Sequence, residues 1–212
     1  MICCGRRWGK TVLAEELLLD ESGDMGCLSG NPVAYFAPTY RMLMEVWRTV
    51  LDTCSEIIVK KSETERRIEI YGAGVIDFWS LDDIDSARGR KYKRVVVDEA
   101  AKVLHLKEAW NKVIRPLLTD LKGDCWFLST PRGKNNYFYD LFKFEETYGD
   151  WKSFQKPTAS NPHIDPDEIE QARLLLDPLT FAQEYLASFV TENNNAFCYT
   201  YSALRHVRQT VV

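Results

Sequence analysis

Gly5-Arg6-Arg7-Trp8-Gly9-Lys10-Thr11 joins a short apolar run, Met1–Cys4, to an amphipathic stretch that begins at Lys10. These residue types at this spacing can hold a polyphosphate. A glycine lets the backbone approach the anion, an ammonium reaches the β- and γ-phosphates, and a hydroxyl ligates Mg²⁺. Backbone N–H groups at a helix start add fixed positive partial charge. The general pattern is G-x-x-x-x-G-K-[ST]; the window here is CGRRWGKT, with Cys4 at the first glycine position. The candidate nucleotide-binding set is Gly5, Arg6, Arg7, Gly9, Lys10 and Thr11. Two guanidinium groups in such a loop are costly without an opposite charge. Arg6 or Arg7 could touch a γ-phosphate of the same subunit, or either could pair with a structural acid.

A second set stands at Val95-Val96-Val97-Asp98-Glu99. An apolar run ending in two carboxylates needs a reason, because an unpaired buried carboxylate is expensive. Mg²⁺ beside ATP provides one. Asp98 would then hold the metal shell and Glu99 would orient or polarise the attacking water; the alternative is a solvated strand end. A third apolar run, Trp126-Phe127-Leu128, closes on Ser129-Thr130-Pro131. Its hydroxyls could contact the γ-phosphate or Glu99, or form an ordinary strand-to-loop turn.

These sets meet only if strands and helices alternate around a largely parallel sheet, which gathers ligands at the carboxyl ends of its strands. The periodicity predicts that order. Strands are expected at Met1–Cys4, Val33–Ala37, Ile57–Val59, Arg94–Asp98, Cys125–Ser129 and Trp151–Pro157, with a hairpin of Arg67–Tyr71 and Val75–Ser80 around Gly72-Ala73-Gly74. Helices are expected at Lys10–Asp20 (Val12, Leu13, Leu17 and Leu18 inward), Tyr40–Cys54 (Leu43, Val46, Trp47 and Val50 inward), Lys107–Leu118, Asn135–Phe144, Asp167–Leu176 and Leu179–Phe189. Tyr137, Phe138, Tyr139, Trp110 and Trp151 read as core. The division expected is an ATPase core at 1–145, a small lid or linker subdomain at 146–190 with a hinge near Lys156-Pro157, and a polar linker at 191–212.

The 212 residues suit one domain, and 45% hydrophobic with 27% charged residues excludes disorder along the whole length. No apolar run is long enough for a membrane helix, and Met1–Cys4 is too short for a signal peptide; the expected compartment is cytoplasmic. With 27 basic against 31 acidic residues the chain is not of the kind that coats nucleic acid, although a groove can still concentrate positive charge. Six cysteines without a C-x-x-C pair, and three scattered histidines, read as free thiols rather than a zinc site.

Four segments together resemble the large terminase subunit of tailed bacteriophages: CGRRWGKT, AYFAPTY, VVVDEAA and STPRGKNNYFYDLF, the last being the most specific. The hairpin IEIYGAGVIDFWS followed by SARGRKY also fits, and the likeness runs to about residue 190. The missing first glycine fits too, since terminases often lack it. The resemblance implies a RecA-like P-loop fold of the additional-strand, catalytic-glutamate type, with a mainly parallel sheet. It implies an ATP- and Mg²⁺-dependent motor that moves double-stranded DNA into a procapsid. Lys10 and Thr11 match the phosphate and Mg²⁺ residues, Asp98 and Glu99 the magnesium and catalytic acids, and Ser129, Thr130 and Pro131 the coupling motif. Arg6 matches an arginine acting in cis, and Arg88 one acting in trans on a neighbouring subunit; the alternative for Arg88 is a solvated basic cluster with Arg90, Lys91, Lys93 and Arg94. Implied partners are DNA, the small terminase subunit, the portal and procapsid, and further copies in a pentameric ring, in the cytoplasm of an infected or lysogenic bacterium.

The family also carries an adenine-holding segment before the phosphate loop and a nuclease domain after the ATPase. Neither is expected within these residues, so no DNA cleavage is expected from them. A truncated non-catalytic remnant that binds nucleotide weakly or not at all, or a helicase-like DNA translocase, are the competing readings. Candidate DNA contacts are Arg88–Arg94, Arg132 and Lys134, each with solvated surface charge as its alternative.

Overall fold

The structure, a computed structural model, describes residues 1–72 and 74–191. Its strands are β1 (Ile2–Cys4), β2 (Pro32–Ala37), β3 (Ile58–Ser62), β4 (Arg67–Ile70), β5 (Val75–Ser80), β6 (Arg94–Val97), β7 (Asp124–Ser129) and β8 (Phe154–Lys156). They form one sheet in the order β3-β4-β5-β2-β6-β7-β1-β8. All pairings from β5 across to β8 are parallel, and β3 and β4 extend one edge as antiparallel strands.

Strand alternation divides the core between two faces. Cys3, Ala34, Phe36, Val95, Val97 and Phe127 point to one side. Ile2, Cys4, Val33, Tyr35, Val96 and Leu128 point to the other. The second face is covered by α1 (Lys10–Leu19) and α2 (Tyr40–Thr53). In α2 the expected stripe of Leu43, Val46, Trp47 and Val50 is buried. In α1 Leu18 is buried as expected, Leu13 and Leu17 are half-buried against the same core, and Lys10 and Ala14 complete the buried stripe. Val12 is 61% exposed, a correction to the apolar count: the helix turns its small Ala14 to the sheet and leaves Val12 to the site described below.

The first face is covered by α3 (Leu106–Ala109), which runs through a π-helical turn (Trp110–Ile114) into α4 (Arg115–Thr119). This fills the expected Lys107–Leu118 helix. Pro116 has no N–H to donate one turn back, and the widened turn just before it accommodates that loss. Next comes α5 (Tyr137–Phe142), shorter than expected because Asn136 caps it: the Asn136 side chain accepts from the Tyr139 N–H at 3.1 Å. Phe138 and Leu141 of α5 are buried, Tyr137 and Tyr139 half-buried. Trp110 packs edge-on against Trp151 at 5.8 Å.

After β8 come α6 (Pro166–Leu175) and α7 (Pro178–Glu184), each opened by an aspartate cap and a proline. The last expected helix stops at Glu184 rather than Phe189, and Ala187 takes a left-handed φ of 55° that no helix continues through. The linker expected at 191–212 lies outside the described residues beyond Thr191. Cys3, Cys4, Cys27, Cys54 and Cys125 are free. Among the described residues no helix is long and apolar enough to cross a membrane.

Two buried polar clusters hold the crossing from β5 to β6. The Asp77 carboxylate, 2% exposed, accepts from Arg67 at 3.0 Å and from the Tyr92 hydroxyl at 2.8 Å, and Tyr92 accepts from Trp79 Nε1 at 2.9 Å. Arg94 is buried and paired with Asp20 and Asp124, each at 2.8 Å, which removes it from the surface candidates for DNA contact.

Candidate functional site

β1 lies between β7 and β8, so the loop leaving it opens at the carboxyl edge of the sheet. Gly9, at a left-handed φ of 109°, turns the chain into α1. Lys10 follows and is buried; its Nζ donates to the Gly5 carbonyl at 3.3 Å and to Thr130 Oγ1 at 3.0 Å. One ammonium therefore spans the loop and the end of β7. Thr11 is exposed beside it.

The outer side of the loop is fastened almost residue by residue. The Gly5 N–H donates to the Lys156 carbonyl at 3.0 Å and the Arg6 N–H to the Glu184 carbonyl at 2.7 Å. Thr158 Oγ1 donates to the Arg6 carbonyl at 2.8 Å, Asn161 Nδ2 to the Arg7 carbonyl at 2.7 Å, and Trp8 Nε1 to Ser160 Oγ at 2.8 Å. A Cβ on Gly5 would stand 2.4 Å from Thr158 Oγ1 and 2.7 Å from the Tyr185 carbonyl oxygen. The glycine of this loop is thus required one position later than in the general pattern, by packing rather than by phosphate approach. Cys4 ends β1 inside the core, and burial pushes its thiol up to about 11, so it is chemically quiet.

Asp98 and Glu99 follow β6, with β7 between them and β1. Asp98 is 5% exposed. Its Oδ2 accepts from the Tyr35 hydroxyl at 3.0 Å and its Oδ1 from the Glu99 N–H at 2.8 Å. Burial, then the neighbouring Glu99 charge, raise its proton affinity; the two donors and Lys10 oppose that without cancelling it. Glu99 holds a left-handed backbone (φ 49°, ψ 37°), a costly geometry for a residue with a side chain, and pairs with Lys102 at 3.0 Å. Ser129 is fully buried and accepts from the Ala101 N–H at 3.1 Å, tying β7 to the turn after Glu99.

A cavity of about 890 Å³ opens between these parts. Arg6, Arg7, Gly9, Lys10, Thr11, Glu99, Thr130 and Pro131 all line it. Gly5, Asp98 and Ser129 are buried outside its walls. Arg6 meets Glu184 there, so the pairing with an acid left open by the sequence is the one seen. Arg88 is elsewhere, on the crossing before β6, paired with Asp85 at 2.6 Å. Lys102, Asn161, Gln183 and Glu184 also form the walls, and sequence reasoning missed them. Lys102 carried a faint signal, three residues from Glu99 at the start of a turn; Gln183, whose Oε1 accepts from the Gly133 N–H at 3.0 Å, carried none.

Among the described residues no three His, Cys, Asp or Glu side chains are grouped to hold a metal alone. Mg²⁺ beside a nucleotide needs less, a carboxylate or two with phosphate oxygens and water completing the shell. Asp98, a buried carboxylate beside Glu99, and Thr11, an exposed hydroxyl on the cavity wall, fit that demand.

A phosphate loop and an acid-ended strand separated by one further parallel strand define a P-loop fold of the RecA-like, additional-strand class. Residues 1–202 match the family described as terminase large subunit, T4likevirus-type, N-terminal. The chain belongs to that family. It is 29% identical to the terminase large subunit of Escherichia phage T5 over 97% of its own length, and it spans about half of that relative, 47%. In fold it is similar to the large terminase ATPase domain of Thermus phage P74-26, with a TM-score of 0.73, 23% identity, and 90% and 88% of the two chains covered. It is similar also to the large terminase of a thermophilic bacteriophage in complex with ADP, with a TM-score of 0.64, 17% identity, and 89% and 48% covered.

Proposed function

We propose that residues 1–145 form an ATPase core, that 146–190 act as its lid and linker, and that the parent protein uses this ATPase to drive double-stranded DNA into a procapsid. The observation that carries the reading is the Lys10 bridge from Gly5 to Thr130 on the same cavity that Glu99 lines. Family membership and the ADP complex of the thermophilic phage protein support it.

Lys10, with the Gly9 backbone and the start of α1, binds the β- and γ-phosphates. Thr11 and Asp98 hold Mg²⁺, which when bound neutralises phosphate charge. Glu99 orients the attacking water and takes its proton. Arg6 acts in cis and Arg88 in trans on the transition-state charge, the second from a neighbouring copy in a ring on the portal, pentameric by family resemblance. Ser129, Thr130 and Pro131 couple hydrolysis to movement: Thr130 touches Lys10 and Ser129 the turn after Glu99. The partners are DNA, the small subunit, portal and procapsid, in the host cytoplasm. Nuclease chemistry is assigned to none of the described residues.

The test is phosphate release from Mg²⁺–ATP by wild type and Glu99→Gln. The variant should lose roughly 10²- to 10⁴-fold in kcat, the range for removal of a general base, while still binding ADP. A variant that turns over at the wild-type rate would remove Glu99 from catalysis.

A further inference from the structure

We propose that Tyr35 is a positioning residue for the metal: its hydroxyl holds the Asp98 carboxylate in the orientation that receives Mg²⁺. The proposal rests on the assignment of Asp98 above. Tyr35 is opposite Val96 in the β2–β6 register, and alternation puts Tyr35, Val96 and Asp98 on the sheet face that α1 covers. Tyr35 is 2% exposed and its ring lies against Phe78 at 5.9 Å, so the side chain is held inside the core. Among the described residues Asp98 Oδ2 is its only partner, at 3.0 Å.

The other oxygen, Oδ1, is held by the Glu99 N–H at 2.8 Å. Each oxygen therefore has one donor, and the carboxylate cannot rotate about its Cβ–Cγ bond without breaking both bonds. One acceptor direction on each oxygen is left for a cation or its water. A phenol suits this post better than a second cation, because it orients the carboxylate without neutralising it. The same clamp reaches the proposed catalytic acid. The Glu99 N–H that holds Oδ1 belongs to the peptide joining the two acids, so fixing Asp98 also helps fix the start of the turn that carries Glu99. Partners of metal ligands at this remove are commonly worth 10- to 100-fold in metal affinity.

The test uses Mn²⁺ as the probe, titrated by electron paramagnetic resonance into the full chain with ADP bound. Wild type, Tyr35→Phe, Asp98→Asn and the double variant are compared. Tyr35→Phe should weaken Mn²⁺ about 10-fold. It should leave ADP affinity in EDTA unchanged, and add nothing in the Asp98→Asn background. Wild-type Mn²⁺ affinity in Tyr35→Phe, or an equal loss in both backgrounds, overturns the proposal while Asp98 stands. An Asp98→Asn variant with wild-type Mn²⁺ affinity sinks the underlying assignment instead. Should Tyr35→Phe not fold, 3-fluorotyrosine at position 35 replaces it. Its ¹⁹F resonance should move when Mg²⁺ joins ADP and stay still in Asp98→Asn; a resonance indifferent to Mg²⁺ overturns the proposal.

Discussion

Tyr92 serves two partners at once, donating to Asp77 and accepting from Trp79, on the crossing that carries Arg88. Burial raises the proton affinity of Asp77, and the Tyr92 hydroxyl and Arg67 pull it back. An acid whose folded value lies above its unfolded one contributes its full stability below the ordinary value of 3.8, and loses it as pH rises through the folded value. Tyr92→Phe removes a donor to a carboxylate and orphans the Trp79 N–H, so it should cost about 1.5–3 kcal/mol near neutral pH. It should also extend to higher pH the range over which stability falls. Urea denaturation of wild type and variant from pH 4 to pH 8 checks both. At this scale the positions of Lys10, Thr11, Asp98 and Glu99 were legible because each sits in a turn or strand end that its own neighbours specify. Tyr35 and Glu184 were not, because their partners lie 63 and 178 residues away.

The elements of the core were legible wherever a run was buried on both faces or amphipathic at a clear period, as in β6 and α2. What failed to show was how elements are trimmed and turned. Val12 counted as apolar without regard to what lay opposite it, Pro116 hid a π-helical turn inside a regular stripe, and α7 ended at a backbone geometry, not a residue type. The strap from Lys156 to Asn161 was equally silent, since its contacts with the phosphate loop are mainly backbone atoms and short polar side chains. Gly5→Ala tests that strap. The added methyl meets the Thr158 backbone N at 2.8 Å as well as its hydroxyl, and backbone cannot step aside cheaply. Overpacking of this kind costs about 1–3 kcal/mol. The variant should lose that much in denaturant unfolding and bind ADP more weakly, whereas a change confined to phosphate contact would leave stability alone.

Across the whole molecule the cavity and Arg88 are separate places, and Arg88 lines no part of the proposed site of its own subunit. Two damaged copies should therefore repair each other. Arg88→Ala and Glu99→Gln are each expected to be nearly inactive alone, while their mixture should regain phosphate release wherever an intact Glu99 meets a neighbour's intact Arg88. A mixture no more active than the sum of its parts would return Arg88 to surface charge. The sheet order has one more consequence, for a chain made from its amino end. Of the eight described strands β1 is made before the others, yet its two neighbours in the sheet are β7 and β8, the last two of the eight. The phosphate loop emerges early and then waits, unpaired on both flanks, until Lys156–Asn161 and Glu184 have been synthesised. Long-range pairing of this sort is slow to form. A nascent chain can therefore bury the helices around β2 and β6 while β1 and the loop after it remain open. The proposed motor becomes able to grip nucleotide only once Glu184 has been made, so a ribosome that stalls before that point releases a chain that consumes no ATP.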